Sequence, residues 1–101
     1  MKLLLITSIV EYKNDIKQIL RNAEVHSYSY REVTGFKNAA ADAIEANWFA
    51  TNMTENESVL FYAFVPVEKV QTVLNDSNAF NARQYSQSYI HVAVISIEQS
   101  N

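Results

Sequence analysis

Cysteine is absent from this 101-residue sequence, and glycine and proline occur once each. Without cysteine, the chain forms no disulfide and offers no thiolate for catalysis or for a zinc ribbon. With a single glycine, it contains neither of the standard glycine-rich phosphate loops. The serines lack the G-x-S-x-G elbow of hydrolases, and no recognised pattern ties a histidine to a serine. These absences favour a protein that is not an enzyme.

Positive charge is also scarce. Eight Lys and Arg residues oppose eleven Asp and Glu residues, which gives a net charge of −3, and no basic stripe is evident along the chain. Binding to nucleic acid or to an anionic membrane surface needs clustered Lys and Arg. The composition therefore predicts no nucleic-acid partner and no anionic membrane partner.

Long hydrophobic runs are missing as well. The run Leu3–Val10 is too short to span a bilayer, and polar residues follow it in place of a signal-peptide cleavage site. We therefore expect a buried first strand and no insertion into a membrane. A cysteine-free chain also agrees with a reducing compartment, so the expected location is cytoplasmic.

The hydrophobic content, 49% of the residues, is typical of a globular protein, and the length fits one domain over residues 1–101. Hydrophobic periodicity predicts strands and helices along it. In chain order these are a strand over Lys2–Ile9, a helix over Glu11–Ala23, a strand over Val25–Phe36, an extended run over Trp48–Met53, a turn over Thr54–Glu57, a strand over Ser58–Val65, a helix from Pro66 to the polar cluster Asn75–Asn78, a connection over Asn81–Ser88 and a strand over Ile90–Glu98. The alanine-rich segment Lys37–Asn47 is either a loop or a short helix.

This βαββαβ order predicts an α+β, ferredoxin-like sandwich. Right-handed crossovers place both helices on one face of an antiparallel sheet whose strand order is 4-1-3-2. The strands around Leu3–Ile9, Val59–Val65 and Ile90–Ile97 are apolar on both sides, yet two helices shelter only one face. Since an uncovered apolar sheet is larger than the patches that monomers tolerate, we expect copies of the chain to cover each other's sheets.

The segment Ser29–Lys37, with Val33-Thr34-Gly35-Phe36 at its centre, resembles the end of the second strand in PII signalling proteins. In that family a Val-x-Gly-Phe pattern opens the long T-loop. The hairpin Trp48–Val65 looks equally like the long hairpin of CutA proteins, which share the fold and the trimer. The likeness in element order extends over almost the whole chain.

The resemblance implies a non-catalytic homotrimer that acts in signalling. A small ligand or ion would bind in clefts between subunits, at Gly35, Phe36, Lys37 and Asn38. The loop after Gly35 would contact a protein partner, such as a membrane transporter, and Asp42 and Glu45 lie in this partner loop.

Two features of PII proteins are missing here. The family carries a glycine-rich loop before the last strand, whose amides cradle phosphates, but Asn78–Ser88 has no glycine. The basic tail of the family is also absent, because Arg83 is the only Arg or Lys after Lys69. These departures argue against ATP or ADP binding, so no nucleotide is assigned, and the sequence leaves the identity of any cofactor unknown.

Two alternatives stay open. His26 and His91 fall on opposite edges of the predicted sheet, about 14 Å apart, so one ion does not bridge them within a subunit and no metal site is predicted there. Across a subunit interface they could meet, as in a CutA-like trimer that binds divalent metals. The second alternative is a small dimeric ferredoxin-like enzyme with a histidine in its cleft.

Overall fold

The computed structural model describes residues 1–36 and 55–101, and for Glu55 and Asn56 only the backbone. Its elements follow the predicted order. They are β1 (Lys2–Ile9), a 3-10 turn (Val10–Tyr12), α1 (Lys13–Asn22), β2 (Ser29–Phe36), β3 (Glu55–Val65), α2 (Val67–Arg83) and β4 (His91–Ser96). The predicted run Trp48–Met53 and the segment Lys37–Asn47 lie outside the described residues.

The four strands form one antiparallel sheet in the order β2-β3-β1-β4. This is the strand order predicted from the sequence, and with both helices on one face it confirms the ferredoxin-like α+β fold. The ladder between β1 and β3 is the central one and pairs Lys2 with Val65 and Ile9 with Ser58. The register places every second side chain of each strand on the same face.

The core lies between the sheet and the helices. Leu4 and Ile6 of β1 and Phe61 of β3 are fully or almost fully buried on this face. Helix α1 contributes side chains at the spacing of one helix face, and α2 adds Val73 and Phe80. The buried apolar residues are Leu4, Ile6, Ile16, Ile19, Leu20, Ala23, Val25, Val59, Phe61, Ala63, Val65, Val73, Phe80 and Ile90.

Helix α1 ends in a left-handed residue, Glu24, with φ 59°. The amide of Glu24 donates to the carbonyl of Arg21, and the amide of Val25 donates to the carbonyl of Leu20, both at 2.9 Å. This pair of bonds is the Schellman cap, in which glycine usually occupies the left-handed position. Because Val25 belongs to this cap, β2 begins at Ser29 and not at the predicted Val25.

Three other predicted boundaries are wrong. Helix α2 does not end near Asn75–Asn78 but continues to Arg83, because buried Ser77 and Phe80 keep its inner face against the core. Glu55–Glu57 belong to β3 and pair with β2, so they are not a turn. The last strand covers only His91–Ser96. In the part of the chain described, neither helix has the length and apolar character needed to cross a bilayer.

The left-handed residue gives a prediction about stability. Replacing Glu24 by Gly should raise the free energy of unfolding by about 0.5–1 kcal/mol, because the side chain no longer crowds the backbone at positive φ. Urea denaturation at one fixed protein concentration measures the change. Glu24→Ala is the control, since it removes the carboxylate but keeps Cβ. An equal gain in both variants would assign the effect to charge and contradict this explanation.

Candidate functional site

The two described residues of the predicted ligand site, Gly35 and Phe36, lie at the end of β2. They pair with Asn56 and Glu55, the first residues of β3, so β2 ends and β3 begins at the same end of the sheet. Lys37 and Asn38, and the predicted partner-loop residues Asp42 and Glu45, lie outside the described residues.

Gly35 is buried inside regular sheet. The ladder from Ser29 to Phe36 runs without an inserted residue, and the φ of Gly35 is not positive. A lone glycine in a strand usually indicates a bulge, a positive φ or the close approach of another backbone segment. The first two do not occur here, so the close approach of a backbone segment is the remaining explanation. Phe36 beside it is 60% exposed. An exposed aromatic side chain next to a glycine offers an apolar contact where β2 ends.

Ser58 is a polar side chain that the sequence analysis did not single out. It pairs with Val33 of β2 and Ile9 of β1, on the face away from the helices. Its hydroxyl is fully buried and finds no hydrogen-bond partner among the described groups. The sequence does contain a signal for this position, because the two-residue repeat of a strand places Ser58 on the same face as the apolar residues Leu60, Tyr62 and Phe64. A buried hydroxyl without a hydrogen-bond partner lowers the stability of the fold.

A network of side-chain hydrogen bonds holds the connection between α2 and β4, residues 84–90. The Tyr12 hydroxyl donates to Gln84 Oε1 at 3.2 Å and contacts Ser86 Oγ at 2.7 Å. The amide of Ser86 donates to Gln84 Oε1 at 2.7 Å, and the amide of Ser88 donates to Ser86 Oγ at 3.1 Å. We call Tyr12, Gln84, Ser86 and Ser88 the connection network.

The connection network lies between α2 and the last strand. In PII proteins, which the sequence resembles, the glycine-rich phosphate-binding loop lies at the corresponding position. Here two backbone amides of the connection already donate to side-chain oxygens. A phosphate would have to displace these bonds before the same amides could cradle it. These two amides are therefore engaged within the chain for as long as the connection network is intact.

Asn81 fixes the start of β4. Its side-chain amide donates to the carbonyl of Ile90, and its side-chain oxygen accepts from the amide of Ile90, both at 2.8 Å. The clamp positions His91 beside a depression of about 320 Å³ between α2 and β4, lined by Leu74, Asn78, Asn81, Tyr89, Ile90, His91 and Val92.

The face of the sheet opposite the helices carries no described helix. We call it the open face. It is apolar across β3, β1 and β4 toward one end of the sheet, whereas exposed Ser29 and Arg31 of β2 make its outer edge polar. Cross-strand pairing aligns Phe64, Leu3 and Ile95 in one row and Tyr62, Leu5 and Ala93 in the next. Phe64 is 59% exposed, and Tyr62 and Ile95 are each 41% exposed. The apolar surface predicted from the strands is therefore present, and it is continuous over three strands.

The histidines do not meet within a subunit. His91 begins β4 at one edge of the sheet, and His26 precedes β2 at the other edge. Among residues 1–36 and 55–101, no group of three His, Asp or Glu side chains is close enough to hold a metal ion. A metal shared between subunits stays a prediction of the CutA-like alternative.

No protein-family model matches the chain, and no protein of curated function matches it. Solved structures do match it. A DUF3240-family protein from Shewanella baltica OS155 is 16% identical, has a TM-score of 0.66, and is aligned over 99% of this chain and 92% of its own. CPII, a nitrogen regulatory PII-like protein from Thiomonas intermedia K12 bound to ADP, AMP and bicarbonate, is 18% identical, has a TM-score of 0.60, and is aligned over 97% and 94%. The predicted resemblance to PII-like proteins is thus confirmed at the level of the fold.

The connection network gives a second prediction. Replacing Ser86 by Ala removes the oxygen that accepts from the Ser88 amide and contacts Tyr12, so the free energy of unfolding should fall by about 1 kcal/mol. The Ser88 amide should also exchange its hydrogen faster, as followed by NMR. Ser100→Ala, near the exposed chain end, is the control and should change neither quantity. An unaltered exchange rate at Ser88 would contradict the assigned network.

Proposed function

We propose that this chain is a non-catalytic, PII-like regulatory protein that assembles as a homotrimer. Its subunits bury their open faces against one another, bind a small ligand in the clefts between them, and contact a protein partner through the loop after Gly35. The partner is of the membrane-transporter kind, and the protein acts in the cytoplasm. The observation that carries the proposal is the continuous apolar open face on a PII-like fold.

The open face supports assembly on energetic grounds. Fully burying an Ile or Phe side chain contributes roughly 1.5–3 kcal/mol, and the open face of each subunit presents the exposed side chains of Phe64, Tyr62 and Ile95 to solvent. Three sheets that face a common interior remove the patch from water in every subunit, because a closed ring leaves no unpaired copy.

The loop end of the sheet supports a ligand site beside the interface. Buried Gly35 and exposed Phe36 lie at this end, and the unpartnered hydroxyl of Ser58 lies on the open face near it. A ligand bound there moves the loop only if it has different affinities for the two loop conformations.

The assembly is tested by placing a charge on the open face. Phe64→Asp should convert the trimer into a folded monomer, because a carboxylate buried between sheets is strongly unfavourable. Val67→Asp is the matched control, since Val67 is 58% exposed but lies in the first turn of α2, where a carboxylate is favourable. Light scattering gives the mass and circular dichroism the fold. A wild-type monomer in dilute solution would refute the assembly.

The ligand site is tested separately, with the loop-base residues Lys37 and Asn38. Native mass spectrometry of protein taken directly from cells reports the number of subunits and any retained ligand. Calorimetry with ADP, AMP and bicarbonate follows, because these are the molecules bound to CPII. The Lys37→Ala/Asn38→Ala variant should weaken binding of whichever probe binds at least about tenfold, with the assembly unchanged. Equal affinity in the two proteins would remove these residues from the site.

A further inference from the structure

Helix α1 carries a short basic stripe that the sequence analysis did not recognise. Lys13, Lys17 and Arg21 are each four residues apart, so they fall on one side of the helix. Three of the eight positive residues of an acidic chain are thus placed together. Like charges at this spacing repel one another, by a few tenths of a kcal/mol per pair.

Nearby carboxylates do little to neutralise the stripe. Lys13 Nζ lies 4.0 Å from Glu32 Oε2, and both side chains are partly exposed. Within the described part of the chain, neither Lys17 nor Arg21 has a carboxylate within that distance. Glu24, the acid at the end of the helix, is exposed and its side chain makes no ion pair there.

Lys17 is held in place by an aromatic side chain. Its Nζ donates to the Tyr30 hydroxyl at 3.1 Å and lies 4.6 Å from the centroid of the Tyr30 ring. The hydrogen bond and the charge of Lys17 together lower the pKa of Tyr30 from its ordinary value. Tyr30 in turn stacks on buried Phe61, with ring centroids 4.9 Å apart. The ammonium group is therefore positioned over a rigid base.

A concave surface lies beside these cations. Lys17, Arg21, Val25, His26 and Tyr28 line a depression of about 190 Å³ where α1 turns toward β2. Val25 is buried and Tyr28 half-buried, so the lining combines an apolar base with three nitrogen-bearing side chains. The Schellman cap fixes the path of the chain from Arg21 to Val25, which makes the spacing of these groups a property of the fold.

We propose that this depression, the α1 basic site of Lys17, Arg21 and His26, binds a small anion that carries a phosphate group. Ammonium and guanidinium groups form charge-assisted hydrogen bonds with phosphate oxygens, and Arg can do so with two parallel bonds. The volume suits one phosphate group on a small molecule. A long polyanion is disfavoured by the short stripe and by the net charge of −3.

This inference goes beyond the proposed function and is independent of it. All the residues of the α1 basic site belong to one subunit. Lys17 and Arg21 lie on α1, on the opposite side of the sheet from the open face, whereas His26 precedes β2 and also lines a second depression with Phe64 of the open face. A monomeric protein could bind phosphate here, and a trimer could fail to bind it.

The test uses inorganic phosphate as the probe, titrated at constant ionic strength against chloride. NMR of the His26 ring and of the Lys17 and Arg21 side chains should show saturable shifts. Lys17→Gln/Arg21→Gln should weaken phosphate binding at least about tenfold. Lys2→Gln/Arg83→Gln removes the same charge elsewhere and should bind phosphate as the wild type does. A parallel arm with phosphatidic acid vesicles distinguishes a lipid headgroup from a free phosphate compound.

The contrary outcomes are equally specific. Shifts that do not saturate, or equal weakening in both double variants, would show general charge attraction and overturn the site. Binding of an acidic peptide without any response to phosphate would also overturn it. Arg21 lies in the last turn of α1 and offsets the helix dipole, so a purely structural role would lower stability and leave phosphate binding unchanged. If the double variant does not fold, Lys17→Gln alone, with Lys17→Arg as the charge-preserving comparison, answers the same question.

Discussion

The packing of one sheet face against two helices is the constraint on which the rest of the molecule depends. A four-stranded sheet has two faces, and α1 and α2 both pack on the one that carries Leu4 and Phe61. The other face keeps its apolar rows in contact with solvent in a single copy of the chain. Burial of the exposed side chains on that face would stabilise the chain by several kcal/mol, and the proposed assembly rests on the same hydrophobic effect that forms the core.

The two ends of the sheet have different chemistry because different elements meet there. At the end where β2 stops, Gly35 is packed into regular sheet. In the neighbouring connection between α2 and β4, backbone amides donate hydrogen bonds to side-chain oxygens of the connection network. At the other end, the cap of α1 brings a basic stripe beside the entry to β2. These backbone amides at the first end are therefore occupied, whereas at the second end Lys17 and Arg21 have no carboxylate partner among the described residues.

The net charge of the chain and the local charge on α1 have opposite signs and favour different ligands. The excess of acids argues against a nucleic-acid partner, and that argument concerns the whole chain. The basic stripe on α1 is not visible in the net charge, because residues four apart in the sequence lie next to each other on a helix. The same reasoning applies to Ser58, which looks unremarkable as a residue type but is buried and unpartnered once the strands are paired.

The order of elements, the strand order, the bounds of β1 and the apolar residues on both sides of the central strands could be predicted from the amino-acid pattern, because hydrophobic periodicity is a local property of the chain. The same pattern placed Gly35 and Phe36 together at the end of β2, as the structure has them. The end of α2 and the start of β2 depend on tertiary packing. The burial of Ser77 depends on what packs against it, and Glu24 takes a left-handed conformation that its residue type disfavours. The connection network could not be predicted either, because Tyr12 and Ser86 are distant in the chain and meet only when the sheet and helices pack. In the α1 basic site, the spacing of Lys17 and Arg21 is visible in the sequence, but the contact of Lys17 with Tyr30 is not.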